Sequence, residues 1–149
     1  MYGRVCCMEL TEKQKNCKYC HYDADGRPLK YLKNNDDCSI FLTDDELLHI
    51  RALKGYTTPS MLLIVNYCPK CGRTLNEKSV IRERKCFECN GTVTNNSEDT
   101  LLSLFFDDRE KNNFILQRHD DYDFRYNLLF DFCPFCRRLL STPVPRPYD

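Results

Sequence analysis

Four pairs of cysteines in this chain are each separated by two residues: Cys17 and Cys20, Cys68 and Cys71, Cys86 and Cys89, Cys133 and Cys136. A Cys-x-x-Cys turn aims two sulfurs at one ion. Two such turns complete a tetrahedral all-sulfur site, the closed arrangement of structural zinc. Eight thiols therefore provide for two zinc ions. Iron in a tetrathiolate site uses the same spacing, but zinc is the commoner occupant where no partner-enzyme signature accompanies the cysteines. A redox-active Cys-x-x-Cys is expected once, at a helix start in a βαβ setting, and that setting is absent. Cys17-Lys18-Tyr19-Cys20-His21 also spells a haem-attachment motif. That reading is set aside, because Cys86-Phe87-Glu88-Cys89-Asn90 has no histidine and the first residues, Met1 to Lys13, hold no apolar segment of signal-peptide length. The expected compartment is the cytoplasm of a bacterial host, where metal-thiolate sites rather than disulfides are the rule.

Two knuckles say almost the same thing. Tyr67-Cys68-Pro69-Lys70-Cys71-Gly72-Arg73-Thr74-Leu75 recurs as Phe132-Cys133-Pro134-Phe135-Cys136-Arg137-Arg138-Leu139-Leu140, with five of the eight residues from Cys68 onward repeated. Gly72 follows the second cysteine, where the backbone needs a positive φ. Arg137 stands there in the second knuckle, so that position is strained or that turn is built differently. Upstream, Ser39-Ile40-Phe41 matches Ser103-Leu104-Phe105, and Leu63-Ile64-Val65 precedes one knuckle as Leu128-Leu129-Phe130 precedes the other. The reading is a tandem duplication: a lead-in over 1–16, a zinc-ribbon-like unit over 17–76, a linker over 77–85, a second unit over 86–140 and a proline-rich tail over 141–149. A duplicated unit must once have closed on itself. This favours one site of Cys17, Cys20, Cys68 and Cys71 and another of Cys86, Cys89, Cys133 and Cys136. The interleaved alternative joins Cys68 and Cys71 to Cys86 and Cys89 across 14 residues, close to the usual ribbon loop.

The elements that hold these knuckles read as short strands: Ser39–Leu42, Met61–Tyr67, Leu101–Phe106, Phe114–Arg118 and Phe124–Phe132, with turns at Asp25-Gly26, at Asn90-Gly91, across Arg109 to Asn113 and at Asp120-Asp121. Thr43-Asp44-Asp45-Glu46 looks like a helix capping box before Leu47–Leu53. The equivalent stretch of the second unit, with Asn112, Asn113 and Asp120, is unsuited to a helix, so a strand is predicted there too. The fold class is mainly β, two small antiparallel meanders each closed by two knuckles. Each is near the size at which a hydrophobic core alone is marginal.

The chain has 22 basic and 22 acidic residues among 149, which argues against a general polyanion binder. Lys18, Lys70, Arg73, Arg137 and Arg138 are placed to offset the net charge near minus two of a zinc tetrathiolate. His21, His49 and His119 are scattered and read as surface or capping residues, so no catalytic grouping emerges. Cys6 and Cys7 read as free or semi-buried thiols and Cys38 as a strand thiol. The acidic runs at Asp36-Asp37, Asp44 to Glu46, Asp107-Asp108 and Asp120 to Asp123 read as solvated turns. Tyr122, Phe124 and Tyr126 read as core packing on one strand face.

The run Ile64-Val65-Asn66-Tyr67-Cys68-Pro69-Lys70-Cys71-Gly72-Arg73-Thr74-Leu75, after a distant Cys17-Lys18-Tyr19-Cys20-His21, resembles small uncharacterised zinc-ribbon-like proteins of phages and prophages of Gram-positive bacteria. In these an upstream Cys-x-x-Cys and a terminal Tyr-Cys-Pro-x-Cys-Gly-Arg-x-Leu enclose a short β-rich segment. The resemblance covers Cys17 to Leu75 well and Cys86 to Leu140 less well. It implies pairing within each unit and a mobile-element origin, and it implies no reaction. The expected function is a non-enzymatic protein-binding module, a phage-encoded inhibitor of a host or defence protein. The alternative is a nucleic-acid-binding regulator, with Arg82, Arg84, Lys85, Arg137 and Arg138 on phosphates and Tyr19 or Phe135 stacking a base.

Overall fold

The computed structural model describes residues 10–75, 89, 94–107 and 112–140. Cys6, Cys7, Arg82, Arg84, Lys85, Cys86, the turn at Asn90-Gly91 and residues 108–111 lie outside the described residues, as do the expected linker and tail. Strands β1 (Lys33–Asn34), β2 (Cys38–Leu42), β3 (Leu47–Ala52) and β4 (Ser60–Ile64) form one antiparallel meander. Strands β5 (Asn95–Asn96), β6 (Leu102–Asp107), β7 (Asn113–Arg118) and β8 (Phe124–Asn127) form a second with the same order. The only described helix is a single turn, α1 (Glu12–Lys15). No described helix is long and apolar enough to cross a membrane.

Alternation builds both sheets. In β3 the residues Leu48, Ile50 and Ala52 are buried while Leu47, His49 and Arg51 are not, the period of two that a half-buried strand requires. The stretch Leu47–Ala52 is thus a strand, as its counterpart in the second unit implied. The threonine that resembled a helix cap makes the cap's bonds in another setting. Thr43 Oγ1 accepts from the backbone of Asp45 and Leu47 at 3.3 and 3.1 Å, while Glu46 takes a positive φ of 64°. A tight β2–β3 turn results. In the second unit Asn112 supplies the positive φ, at 50°.

Ile40, Leu42, Leu48 and Ile50 of the first sheet and Leu102, Leu104, Phe114 and Leu116 of the second are almost fully buried. They share one apolar cluster with the paired cysteines. The long apolar runs ahead of the knuckles are not wholly strand. β4 ends at Ile64 and β8 at Asn127, short of the predicted ends at Tyr67 and Phe132. Beyond them the chain leaves its sheet to reach the knuckle. In the second unit Leu129 turns with φ 56°, its amide donating to Asn127 Oδ1 at 3.2 Å. Asn113 clamps the following residue, exchanging bonds with Phe130 O and N at 2.7 and 3.0 Å.

Among the described residues, three contacts between the two units stand out. One is the pair of knuckles, treated below. At the second, Arg118, which stands where the first unit has the buried Ala52, lies against Asp120 at 2.8 Å and donates to Thr57 O at 3.2 Å. At the third, Tyr126 donates to Asp37 and lies 4.2 Å beneath Lys33 Nζ. Tyr126 thus packs with Phe124 on β8 but also faces the first unit, and Tyr122 sits off the strand and is exposed.

Candidate metal centres

Each C-terminal knuckle is a miniature hairpin. Cys68 N donates to Arg73 O at 2.9 Å, Gly72 N to Cys68 O at 2.8 Å and Leu75 N to Asn66 O at 2.7 Å. Cys133 to Arg138, Arg137 to Cys133 and Leu140 to Asp131 repeat these bonds at 2.8, 2.8 and 3.0 Å. Amides inside the turns also point at sulfur, with Lys70 N 3.4 Å from Cys68 Sγ and Phe135 N 3.4 Å from Cys133 Sγ. The glycine question resolves in favour of one geometry. Arg137 adopts φ 72° where Gly72 has 76°, so the second turn is built like the first and a non-glycine residue carries the left-handed strain.

These turns gather the sulfurs within each unit. Cys17, Cys20, Cys68 and Cys71 lie within 4.8 Å of one another and are all buried. Cys17 meets Cys68 at 3.8 Å and Cys20 meets Cys71 at 3.6 Å. In the second unit Cys89, Cys133 and Cys136 lie within 4.8 Å of one another, with Cys89 and Cys136 at 3.5 Å. A tetrahedral tetrathiolate with zinc–sulfur bonds of about 2.3 Å needs sulfurs about 3.8 Å apart. Both donor sets fit that spacing and are compatible with structural zinc. The pairing left open by the spacing of the cysteines is thus within units for the seven described sulfurs; Cys86 lies outside the described residues.

Crowded thiols cannot all ionise without a cation. Cys20 is drawn far below the ordinary thiol range by its hydrogen bonds with Cys17, Cys68 and Cys71 and by the Arg73 guanidinium. Cys68 is pushed far up by the same bonding to Cys17, Cys20 and Cys71 and by burial. One sulfur holds charge while its neighbour holds the proton. A divalent ion replaces those protons and removes the conflict.

Other side chains complete the first centre. Arg73 donates through Nε to Cys20 Sγ at 3.3 Å and through Nη2 to Cys20 O at 2.6 Å. Arg138 does the equivalent in the second unit, reaching Cys89 O at 3.0 Å and lying over Phe106. These two arginines therefore serve the knuckles. Arg137 is exposed and its guanidinium lies 6.0 Å from the Tyr67 ring. Lys70 Nζ donates to Leu129 O at 3.0 Å and, with Lys30, flanks the Tyr19 ring. Lys18 is exposed. Phe135 packs on Phe114.

His21 caps the first knuckle, its Nδ1 at 2.6 Å from Cys17 O. His49 lies against Phe41 in the sheet. His119 Nε2 is 2.9 Å from Ser103 Oγ. That hydroxyl donates to Asn96 Oδ1 at 2.8 Å, which leaves it to accept a hydrogen bond from the Nε2–H tautomer of His119.

Two features escaped the reading of the sequence. Thr11-Glu12-Lys13-Gln14 is a full capping box: Gln14 N donates to Thr11 Oγ1 at 3.1 Å and Thr11 N to Gln14 Oε1 at 3.0 Å. It fixes α1 so that buried Gln14 donates to Cys71 O at 3.3 Å. The Thr-x-x-Gln spacing carried that signal. The second is an exchange between the knuckles. Asn66 N and Tyr67 N both donate to Pro134 O, at 2.9 and 3.0 Å, and Asp131 N and Phe132 N both donate to Pro69 O, at 2.8 and 2.9 Å. Every bond has its counterpart under exchange of the units, as does the contact of Gly72 with the Phe132 ring and of Arg137 with that of Tyr67.

Cys38 stands apart from both centres. It is fully buried on β2, and burial pushes its thiol up to about 11. Leu102 is its counterpart in β6, so the position is apolar in character. Since the thiolate is the reactive species, Cys38 should resist iodoacetamide at neutral pH in the metal-loaded chain and become alkylated only on unfolding. Mass mapping of the modified residue checks this, and rapid labelling of the folded chain at Cys38 would contradict it. No protein-family model, curated protein or solved structure matches the chain, so the two centres rest on their own geometry.

Proposed function

We propose that the chain is a non-enzymatic structural-zinc protein, two ribbon-like units arisen by tandem duplication, each holding one zinc ion and together presenting a protein-binding surface. The observation that carries the reading is the closed, buried, all-sulfur set Cys17, Cys20, Cys68 and Cys71. A catalytic zinc keeps a position open for water or substrate, and four thiolates at tetrahedral spacing leave none. The metal then acts by holding a fold, and function passes to the surface the fold presents. The resemblance to phage and prophage proteins supports reading that surface as one directed at a host or defence protein in a bacterial cytoplasm.

Of the residues the nucleic-acid alternative names, Arg82, Arg84 and Lys85 lie outside the described residues, and Tyr19 lines a cleft beside the first centre with Lys13, Lys18, Lys30 and Lys70. Its four positive charges face the negative Glu12 and Asp131 in the same wall and a zinc tetrathiolate of charge near minus two. The sum is close to neutral, so charge compensation accounts for the lysines. Of the other candidates, Arg138 serves its knuckle and Arg137 lies over Tyr67.

Native mass spectrometry of the untagged chain from a bacterial host tests the proposal. The expected spectrum carries two zinc ions per chain and a stoichiometric protein companion. Iron in either centre, a metal-free chain, or copurifying nucleic acid in place of protein would overturn it.

A further inference from the structure

Strand β4 ends the first sheet, and among the described residues no strand pairs with its outer edge. Pro59 O accepts from Ala52, and Val65 N donates to Glu46. Odd-numbered residues of this stretch therefore turn their backbone groups toward β3, in register with Ile50↔Met61 and Leu48↔Leu63. By the alternation of antiparallel pairing, Ser60, Leu62 and Ile64 turn theirs outward. The same residues carry the exposed apolar side chains, with Leu62 59% and Ile64 70% exposed. Beside them lies a cavity of about 580 Å³, walled on the far side by Asn95 to Asp99 of the second unit.

The groove is the counterpart of a seam that is closed. On the opposite side β8 meets the β1 end of the first sheet, where Tyr126 donates to Asp37 under Lys33. By strand register, Met61 corresponds to Tyr126 and Asn95 to Lys33. The open seam thus lacks both the phenol and the cation, yet keeps acidic residues, Glu98 and Asp99, in its wall.

We infer that an extended segment of a partner protein fills this groove, pairing its backbone with Ser60, Leu62 and Ile64. Its alternate apolar residues cover Leu62 and Ile64, and a lysine or arginine meets Glu98 and Asp99. Edge-strand addition of this kind takes affinity from main-chain bonds and specificity from alternate side chains. The inference rests on the protein-binding reading and names its surface.

The test uses the isotopically labelled, metal-loaded full chain and two short peptides, one alternating valine with arginine and one valine with glutamate. The arginine peptide should protect the amides of Ser60, Leu62 and Ile64 from exchange, and the glutamate peptide should bind at least about tenfold more weakly, a difference of about 1.4 kcal/mol. Leu62→Pro removes an outward N–H from an edge strand without touching the β3 ladder, and it should weaken the arginine peptide at least about tenfold. Leu62→Lys with Ile64→Lys should do the same while leaving the fold's amide spectrum intact. Equal binding of the two peptides, protection elsewhere, or indifference to Leu62→Pro overturns the inference. A β4-paired dimer of the chain alone assigns the edge to a second copy and overturns it too. Capture of the cellular companion by the Leu62→Pro chain at wild-type yield removes this edge while the protein-binding reading stands. A wild-type chain with no companion removes that reading instead.

Discussion

Stripping the metal with a strong chelator under reducing conditions should collapse the near-ultraviolet signal of the tyrosines and phenylalanines and abolish cooperative melting. The cysteines are woven into the apolar cluster: Cys20, Cys68 and Cys133 are fully buried beside Val65, Phe130 and Leu140. Without an ion, each unit must bury thiols whose charges and protons conflict. Nor is there much core to hold such a site together by itself, since each sheet has two long central strands and a very short first one. Structural zinc contributes roughly 10–16 kcal/mol in small metal-dependent peptides, whereas whole domains are stable by about 5–15 kcal/mol. The metal term is as large as the entire expected stability. Loss of folding should therefore be complete rather than partial, and zinc should restore the signal. Acid should act in the same direction, because protons compete with zinc for the thiolates. Circular dichroism of the apo and reconstituted chain decides the matter. A metal-free protein with an unchanged near-ultraviolet spectrum and a cooperative melt would show that the sheets stand without their ions.

The metal centres were legible because their chemistry is local. A Cys-x-x-Cys turn spends four residues to place two sulfurs, and the similarity of the two units then favours pairing within each unit over the interleaved alternative. The same similarity outweighed local propensity at Leu47–Ala52, where Thr43 and Glu46 imitate a helix start but side-chain burial alternates with period two. Strand ends were less legible. Nothing in an apolar run such as Leu128-Leu129-Phe130 distinguishes a residue paired in a sheet from one that plugs the space under a knuckle. The strain at Arg137 was visible as a missing glycine, but not its outcome, since the residue keeps the left-handed φ and the turn's own hydrogen bonds, Arg137 N to Cys133 O and Cys133 N to Arg138 O, are made regardless. The exchange between the knuckles was illegible because it joins backbone atoms, and a backbone carbonyl leaves no mark on residue type.

Removing the first centre's ligands, with Cys68→Ser and Cys71→Ser, should weaken metal binding at the second centre by about ten- to a hundredfold, or about 1.4–2.7 kcal/mol. The link is the exchange at the knuckles. Pro69 O receives Asp131 N and Phe132 N, the two amides that lead into Cys133, and Pro134 O receives Asn66 N and Tyr67 N, which lead into Cys68. Each proline lies between the cysteines of its own turn, so an ion that closes one turn also sets the acceptor for the other. Asn66 adds a side-chain bond to Phe135 O at 3.2 Å, and Lys70 one to Leu129 O at 3.0 Å. A backbone hydrogen bond is worth about 0.5–1.5 kcal/mol net, and the four across the knuckles together exceed the coupling predicted, since part of their strength survives in a loosened turn. Linkage requires reciprocity, so Cys133→Ser should weaken the first centre by a similar factor. Cobalt titration reads each centre through its thiolate absorption. Asn66→Ala, which leaves every cysteine in place, separates coupling from unfolding: it should weaken both centres modestly with the near-ultraviolet spectrum retained. A second centre that binds cobalt with wild-type affinity in the Cys68→Ser, Cys71→Ser chain would show that the two turns touch without communicating.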